Sequence, residues 1–147
     1  MKSYAFKTLA ETQAWARTLV IELDRPCVVL LSGDLGAGKT QLVRWVLAEL
    51  GVIETMSPTF AIYHRYQSAL GLVDHADLYR LKSTEDLESS GFWDLLLEPK
   101  GLLFVEWADR LATDVWPRHW KLVQVQIFKE QPETEARRLE LKIKLPS

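Results

Sequence analysis

A single cysteine among 147 residues leaves no partner for an internal disulfide, and a reducing compartment suits such a chain best. That residue, Cys27, lies in an apolar run and is expected to be a small buried hydrophobe. Charge of one sign is lacking too. Eighteen basic and 20 acidic side chains give a net charge of −2. The chain therefore has neither a basic field able to grip nucleic acid unaided nor an acidic tail. Long hydrophobic runs are missing: the longest is about six residues, against the ~20 a membrane helix needs. Glu11, Arg17 and Glu22 interrupt any apolar stretch near the start, so no signal peptide is expected. These exclusions lead to the expectation of a soluble, cytoplasmic protein with no membrane association. His64, His75 and His119 share no metal-ligand spacing, so structural or surface roles are expected of them. Repeats, low-complexity segments and interdomain linkers are also absent. The length, with 48% apolar residues, fits one domain over residues 1–147 with a substantial core.

What is present is more specific. Residues 33–40 read GDLGAGKT, matching G-x-x-x-x-G-K-[ST] at every fixed position. In that pattern backbone N–H groups turn inward on a phosphate chain, the lysine neutralises the terminal phosphates, and the Ser or Thr hydroxyl binds Mg²⁺. Context supports the match. Cys27, Val28, Val29, Leu30 and Leu31 precede the loop, bounded by Pro26, as expected of a buried parallel strand. Leu42, Val43, Val46, Leu47 and Leu50 follow at helical spacing and stop at Gly51, a C-terminal cap.

Other elements can be read around this core. Thr8 with Glu11 predicts a capping box, and Leu9, Trp15, Ala16, Leu19, Val20 and Leu23 predict the buried face of a first helix. Ser57-Pro58-Thr59 predicts a turn. Residues 60–66 and 72–77 read as strands, and Ser83 as the cap of a short helix ending at Ser90-Gly91. Leu102, Leu103, Phe104 and Val105 make a second fully apolar strand, ending in Glu106. Period-two alternation through Val123, Val125 and Ile127, and again through Leu139, Leu141, Ile143 and Leu145, predicts a C-terminal antiparallel hairpin across the polar residues 130–136. The expected fold is α/β: a three-layer α/β/α P-loop NTPase-like sandwich with a mixed sheet.

A triphosphate with Mg²⁺ needs positive charge, backbone donors and hard oxygen ligands. Gly33, Asp34, Leu35, Gly36, Ala37, Gly38, Lys39, Thr40 and Gln41 form the expected nucleotide-binding segment, with Lys39 as the cation and Thr40 as one metal oxygen. The second metal-side group should be an acid at the end of a strand beside the loop. Glu106 and Asp77 both qualify; Glu106 ends the cleaner apolar run and is preferred, leaving Asp77 to hold a metal-bound water or orient the attacking one. Thr59, on a rigid turn, is a candidate γ-phosphate sensor or else a turn hydroxyl bonding its own backbone. Arg80 and Arg110 could stabilise charge, although solvated or paired arginines are the commoner case, and no group stands out as an arginine finger. Of the six tryptophans, most should pack in the core or hairpin, while Trp107 beside Glu106 could shape the site or a partner surface. With no N-K-x-D segment and no D-x-x-G after the loop, ATP is the default nucleotide by exclusion.

Together these residues resemble the TsaE (also called YjeE) family, small bacterial ATPases of tRNA threonylcarbamoyladenosine modification beside the anticodon. The matching pieces are GDLGAGKT at 33–40, SPTF at 57–60, DHADLYRL at 74–81 and VEWADRL at 105–111. The phosphate loop alone is shared by many NTPases, whereas its joint occurrence with the other three is highly specific. The resemblance covers nearly the whole chain and is weakest after Trp116. It implies that Lys39 and the loop bind phosphates, that Thr40 and Glu106 hold Mg²⁺, that Asp77 serves hydrolysis, and that Thr59 is a switch-like threonine. It extends nucleotide contacts to the start of the first helix, at Thr8 and Thr12. Partners so implied are TsaD-like and TsaB-like proteins, with tRNA met mainly through them and ATP turnover driving or resetting the transferase. The sequence departs from the family pattern at Ala76, where phenylalanine is usual, and at Trp15, where glycine is common. A small-molecule kinase and a non-catalytic nucleotide switch are the alternative readings.

Overall fold

The computed structural model describes residues 1–52, 62–79, 81, 83–112 and 114–147. Seven strands form one mixed sheet: β1 (Lys2–Phe6), β2 (Cys27–Gly33), β3 (Tyr63–Ser68), β4 (Gly71–Asp77), β5 (Leu102–Glu106), β6 (Lys121–Phe128) and β7 (Arg137–Lys144). Their spatial order is β1-β7-β6-β2-β5-β4-β3. The central strands β6, β2, β5 and β4 run parallel, while β3, β7 and β1 pair antiparallel with their neighbours.

The sheet is covered on both faces. Helices α1 (Leu9–Leu19) and α2 (Lys39–Glu49) bury Ala16, Leu19, Leu42, Val43 and Val46 against Val29, Leu31, Phe104, Val123 and Val125 on one face. The helix α3 (Thr84–Ser90) and the 3₁₀ turn Phe92–Leu97 bury Leu87, Phe92 and Leu95 on the other, against Val28, Leu103 and Val105. Strands β2 and β5 are apolar without alternation because both of their faces are covered. In β6 and β7 the faces differ: Val123, Val125, Ile127, Leu139 and Leu141 are buried, while Gln126 and Lys142 are exposed. The α/β/α architecture and the hairpin therefore agree with expectation.

Several local expectations need correction. The first helix stops at Leu19 and continues as a 3₁₀ turn over Val20–Glu22; Leu9 is exposed, and Thr12 takes the buried position on that face. Thr8 does cap α1, its Oγ1 accepting from Glu11 N at 3.2 Å. Glu11, however, returns its carboxylate to Lys7 N at 2.9 Å rather than to the cap residue. Ser83 occupies the N-cap position of α3 without a side-chain capping bond. The strand placed at residues 60–66 is β3, at Tyr63–Ser68. The turn at Ser57-Pro58-Thr59 lies outside the described residues.

Strand β1 has no counterpart in the sequence reading. Only Tyr4 and Phe6 are apolar at period two, packing around Trp15 at centroid distances of 5.3 and 6.4 Å. The strand is specified by its pairing with β7, Lys2 opposite Leu141 through Phe6 opposite Arg137. Cys27 is fully buried, and burial pushes its thiol up to about 12.

Candidate active site

The site sits where β2 ends and α2 begins. Gly33 is the last residue of β2, in register with Ile127 of β6 and at φ +146°. A Cβ there would stand 2.5 Å from the Ile127 carbonyl oxygen, so only glycine lets the chain leave the sheet at this point. Gly38 then takes the N-cap position of α2 at φ +113°. The loop between them is braced by Ala37 N donating to Asp34 O at 3.0 Å. A second brace comes from the hairpin: Arg137 Nε donates to Ala37 O at 2.9 Å.

Lys39 folds back into this loop. Its Nζ donates to the carbonyls of Gly33 at 2.6 Å and Asp34 at 2.9 Å, and it lies 4.0 Å from the centroid of the Trp107 ring. The side chain is buried. Burial pulls its ammonium below the ordinary lysine value, against the charges of Glu106, Asp109, Asp34 and Asp77, which act in the other direction. Trp107 itself adopts a left-handed conformation at φ +58°, a strained state for a bulky residue. Its N–H extends the sheet by donating to Leu31 O at 3.1 Å, and its ring meets Tyr79 at 5.0 Å.

Both candidate acids stand on adjacent parallel strands. Leu31 of β2 is in register with Glu106 of β5, and Glu106 with Asp77 of β4. They differ in environment. Glu106 is 2% exposed. Its Oε1 accepts from Thr40 Oγ1 at 2.6 Å and its Oε2 pairs with His75 Nε2 at 2.5 Å. Burial would raise the Glu106 carboxyl, but His75, Thr40 and Lys39 together hold it below the ordinary value. Asp77 is exposed, and its Oδ1 accepts from Tyr79 N at 3.0 Å. A cavity opens between them, lined by Leu35, Gly36, Gly38, Lys39, Thr40, Gln41, Asp77, Tyr79, Glu106 and Trp107.

Of the residues singled out from the sequence, this cavity brings together Leu35, Gly36, Gly38, Lys39, Thr40, Gln41, Asp77, Glu106 and Trp107. Gly33, Asp34 and Ala37 act behind it, through backbone contacts to Lys39 and Arg137. Thr8 is not among the lining residues; its hydroxyl is engaged by the helix cap, and Thr12 Oγ1 donates to Thr8 O at 3.4 Å. Thr59 and Arg80 lie outside the described residues. Arg110 is exposed, donating to Leu81 O at 3.3 Å and lying over the Tyr79 ring.

Tyr79, which lines the cavity, His75 and Arg137 escaped the sequence reading. His75, expected to be structural or at the surface, is the hydrogen-bond partner of Glu106; its place two residues before Asp77 on one strand was the available signal, since period two puts both on one face. Arg137 carried no signal, because its contact with the loop spans 100 residues.

A hydroxyl and a carboxylate 2.6 Å apart, beside a loop that presents backbone donors, form a hard-oxygen set suited to Mg²⁺, which commonly takes one or two protein oxygens with phosphate and water. Among the described residues, no group of three or more His, Cys, Asp or Glu forms a separate metal centre.

The family model for threonylcarbamoyl adenosine biosynthesis protein TsaE matches residues 6–139. The chain belongs to the TsaE family. Relatives carrying the name tRNA threonylcarbamoyladenosine biosynthesis protein TsaE include one from Synechocystis sp., 40% identical over 70% of this chain and 68% of its own length. Another, from Haemophilus influenzae, is 32% identical over 84% of this chain and 74% of its own. The Rickettsia felis relative is 38% identical, and the match spans 58% of its length. The crystal structure of Bacillus subtilis YdiB superposes with a TM-score of 0.66 at 25% identity, covering 98% of this chain and 86% of that one. Membership in the TsaE family accords with the assembled loop, acids and sheet order. No helix among the described residues is long and apolar enough to cross a membrane.

Proposed function

We propose that this chain is a Mg²⁺-dependent ATPase serving threonylcarbamoyladenosine modification of tRNA, working as one domain over residues 1–147. The observation that carries the reading is the contact of Thr40 Oγ1 with Glu106 Oε1 at 2.6 Å, at the mouth of the loop that holds Lys39. Loop backbone donors, with the N-terminal end of α2, bind the phosphate chain. Lys39 exchanges its two carbonyl partners for phosphate oxygens and neutralises charge as the terminal phosphoryl group departs. Thr40 and Glu106 would hold Mg²⁺, which supplies further charge neutralisation across the phosphates. Asp77, exposed and adjacent in register to Glu106, orients the attacking water in line with the leaving group. Thr59 serves as the γ-phosphate sensor, and Thr8 contributes to the nucleotide pocket.

Turnover is expected to be slow alone and faster with TsaD-like and TsaB-like partners in the cytoplasm, which also supply most of the grip on tRNA. The test is reconstitution of tRNA, a threonylcarbamoyl donor and the two partners, with and without this chain and ATP. Multiple rounds of modification should require both. Equal ATP hydrolysis with and without partners would refute partner activation. ATP-dependent partner binding that supports modification when Asp77→Ala has abolished hydrolysis would establish a switch in place of a turnover enzyme.

A further inference from the structure

The carboxylate of Glu106 is held from two sides by residues of different elements. Thr40, at the start of α2, donates its hydroxyl to Oε1, and His75 of β4 bonds to Oε2. The placement of His75 follows from the sheet. In the parallel pair β4–β5, His75 is in register with Phe104 and Asp77 with Glu106, so alternation sends all four side chains to the face covered by α2. His75 is thus the diagonal neighbour of Glu106, one pleat further back from the cavity mouth. Its ring is 13% exposed, while the Glu106 side chain is 3% exposed. An ionised carboxylate only accepts hydrogen bonds, so the bridging proton belongs on Nε2.

We propose that His75 is a positioning residue for the Mg²⁺ site: by engaging Oε2 it fixes the Glu106 carboxylate so that Oε1 is the oxygen turned toward Thr40 and the phosphate loop. This rests on the reading of Thr40 and Glu106 as metal-side ligands. A glutamate has three side-chain torsions, and a buried one with a single partner could rotate Oε1 away from the loop. The His75 bond removes that freedom before any ligand arrives. Thr40 occupies Oε1 through a hydroxyl that can turn, so its bond is exchangeable. The His75 bond lies behind the carboxylate and has no part in the exchange. Outer partners of ligating carboxylates commonly change metal affinity by about 10- to 100-fold.

The test compares His75→Leu, His75→Asn and His75→Gln in the full chain, with adenylyl imidodiphosphate as the probe. Its affinity is measured by calorimetry in EDTA and again at saturating Mg²⁺, and the ratio of the two is the readout. Gln can place its amide nitrogen where Nε2 stands; Asn reaches only as far as Nδ1, and Leu has no donor. The ratio should fall about 10-fold or more for His75→Leu and His75→Asn, and His75→Gln should restore it to within about threefold of wild type. Affinity in EDTA should be the same in all four proteins. An unchanged ratio in His75→Asn, or His75→Gln no better than His75→Asn, would overturn the proposal. Glu106→Gln, measured alongside, separates the two levels: if it leaves the ratio unchanged, the metal assignment itself fails, whatever His75 does.

Discussion

Replacing Gly33 by alanine tests the geometry that launches the phosphate loop from the sheet. The added Cβ would meet Ile127 O at 2.5 Å, about 0.9 Å inside ordinary contact, and the obstacle is backbone locked into the β2–β6 ladder. Relief requires either β6 to retreat, at the expense of its pairing, or the loop to leave φ +146°. Overpacking of this kind costs about 1–3 kcal/mol, and a non-glycine residue at positive φ adds about 1 kcal/mol or more. The sum, about 2–4 kcal/mol, should lower the urea midpoint by roughly 1–2 M at the m-values usual for small proteins. Gly36→Ala is the matched control. Gly36 also has positive φ, +82°, but nothing stands within 4 Å of a Cβ there, so only the conformational cost of about 1 kcal/mol remains. Equilibrium unfolding without nucleotide measures both. Equal midpoints for Gly33→Ala and Gly36→Ala would refute the close approach of loop and β6.

Three further outcomes are expected. Glu106→Ala should weaken Mg²⁺-dependent nucleotide binding about 10- to 100-fold and more than Asp77→Ala, which should chiefly remove turnover; calorimetry giving the reverse order would reassign the metal oxygen. The Glu106 carboxyl titrates below its ordinary value of 4.5, so it stabilises the fold above that pH, and the contribution is lost as pH falls through the lower, folded value. The urea midpoint of the wild type should therefore drop more steeply below about pH 4.5 than that of Glu106→Gln, and parallel curves would contradict the assignment. Arg137→Leu removes the donor to Ala37 O and should lower stability by the worth of one such bond, about 1 kcal/mol, while the less ordered loop raises the nucleotide Kd about 3- to 10-fold; an unaltered Kd would show that the loop needs no brace from the hairpin.

The parts of this molecule that sequence discloses are those whose specification is local. GDLGAGKT fixes a loop because Gly33, Gly36 and Gly38 each meet a positive φ within eight residues, although the Ile127 carbonyl that also demands glycine at position 33 lies far along the chain. The unbroken apolar runs of β2 and β5 disclose strands covered on both faces, and the alternation of β6 and β7 discloses strands covered on one. Glu106 and Asp77 could be nominated because each ends such a strand. What sequence conceals is specified across distance. β1 has two useful apolar positions and owes its existence to β7. The Arg137 brace and the His75 bond depend on which strands the sheet makes adjacent, an order that no local pattern encodes. The end of α1 is concealed for a related reason: Val20 continues the helical spacing, yet the chain tightens into a 3₁₀ turn there before Pro26.

The position of β2 bears on when the protein becomes competent during synthesis. The strand that ends in the loop is flanked by β5 on one side and β6 on the other, and the stretch that bolts the loop in place, at Arg137, is made later still. A ribosome that has translated the phosphate-gripping segment has yet to deliver nearly three quarters of the 147 residues, including both flanking strands. Nascent fragments should thus be unable to sequester nucleotide, and binding should switch on abruptly once translation passes β7, when the sheet can close.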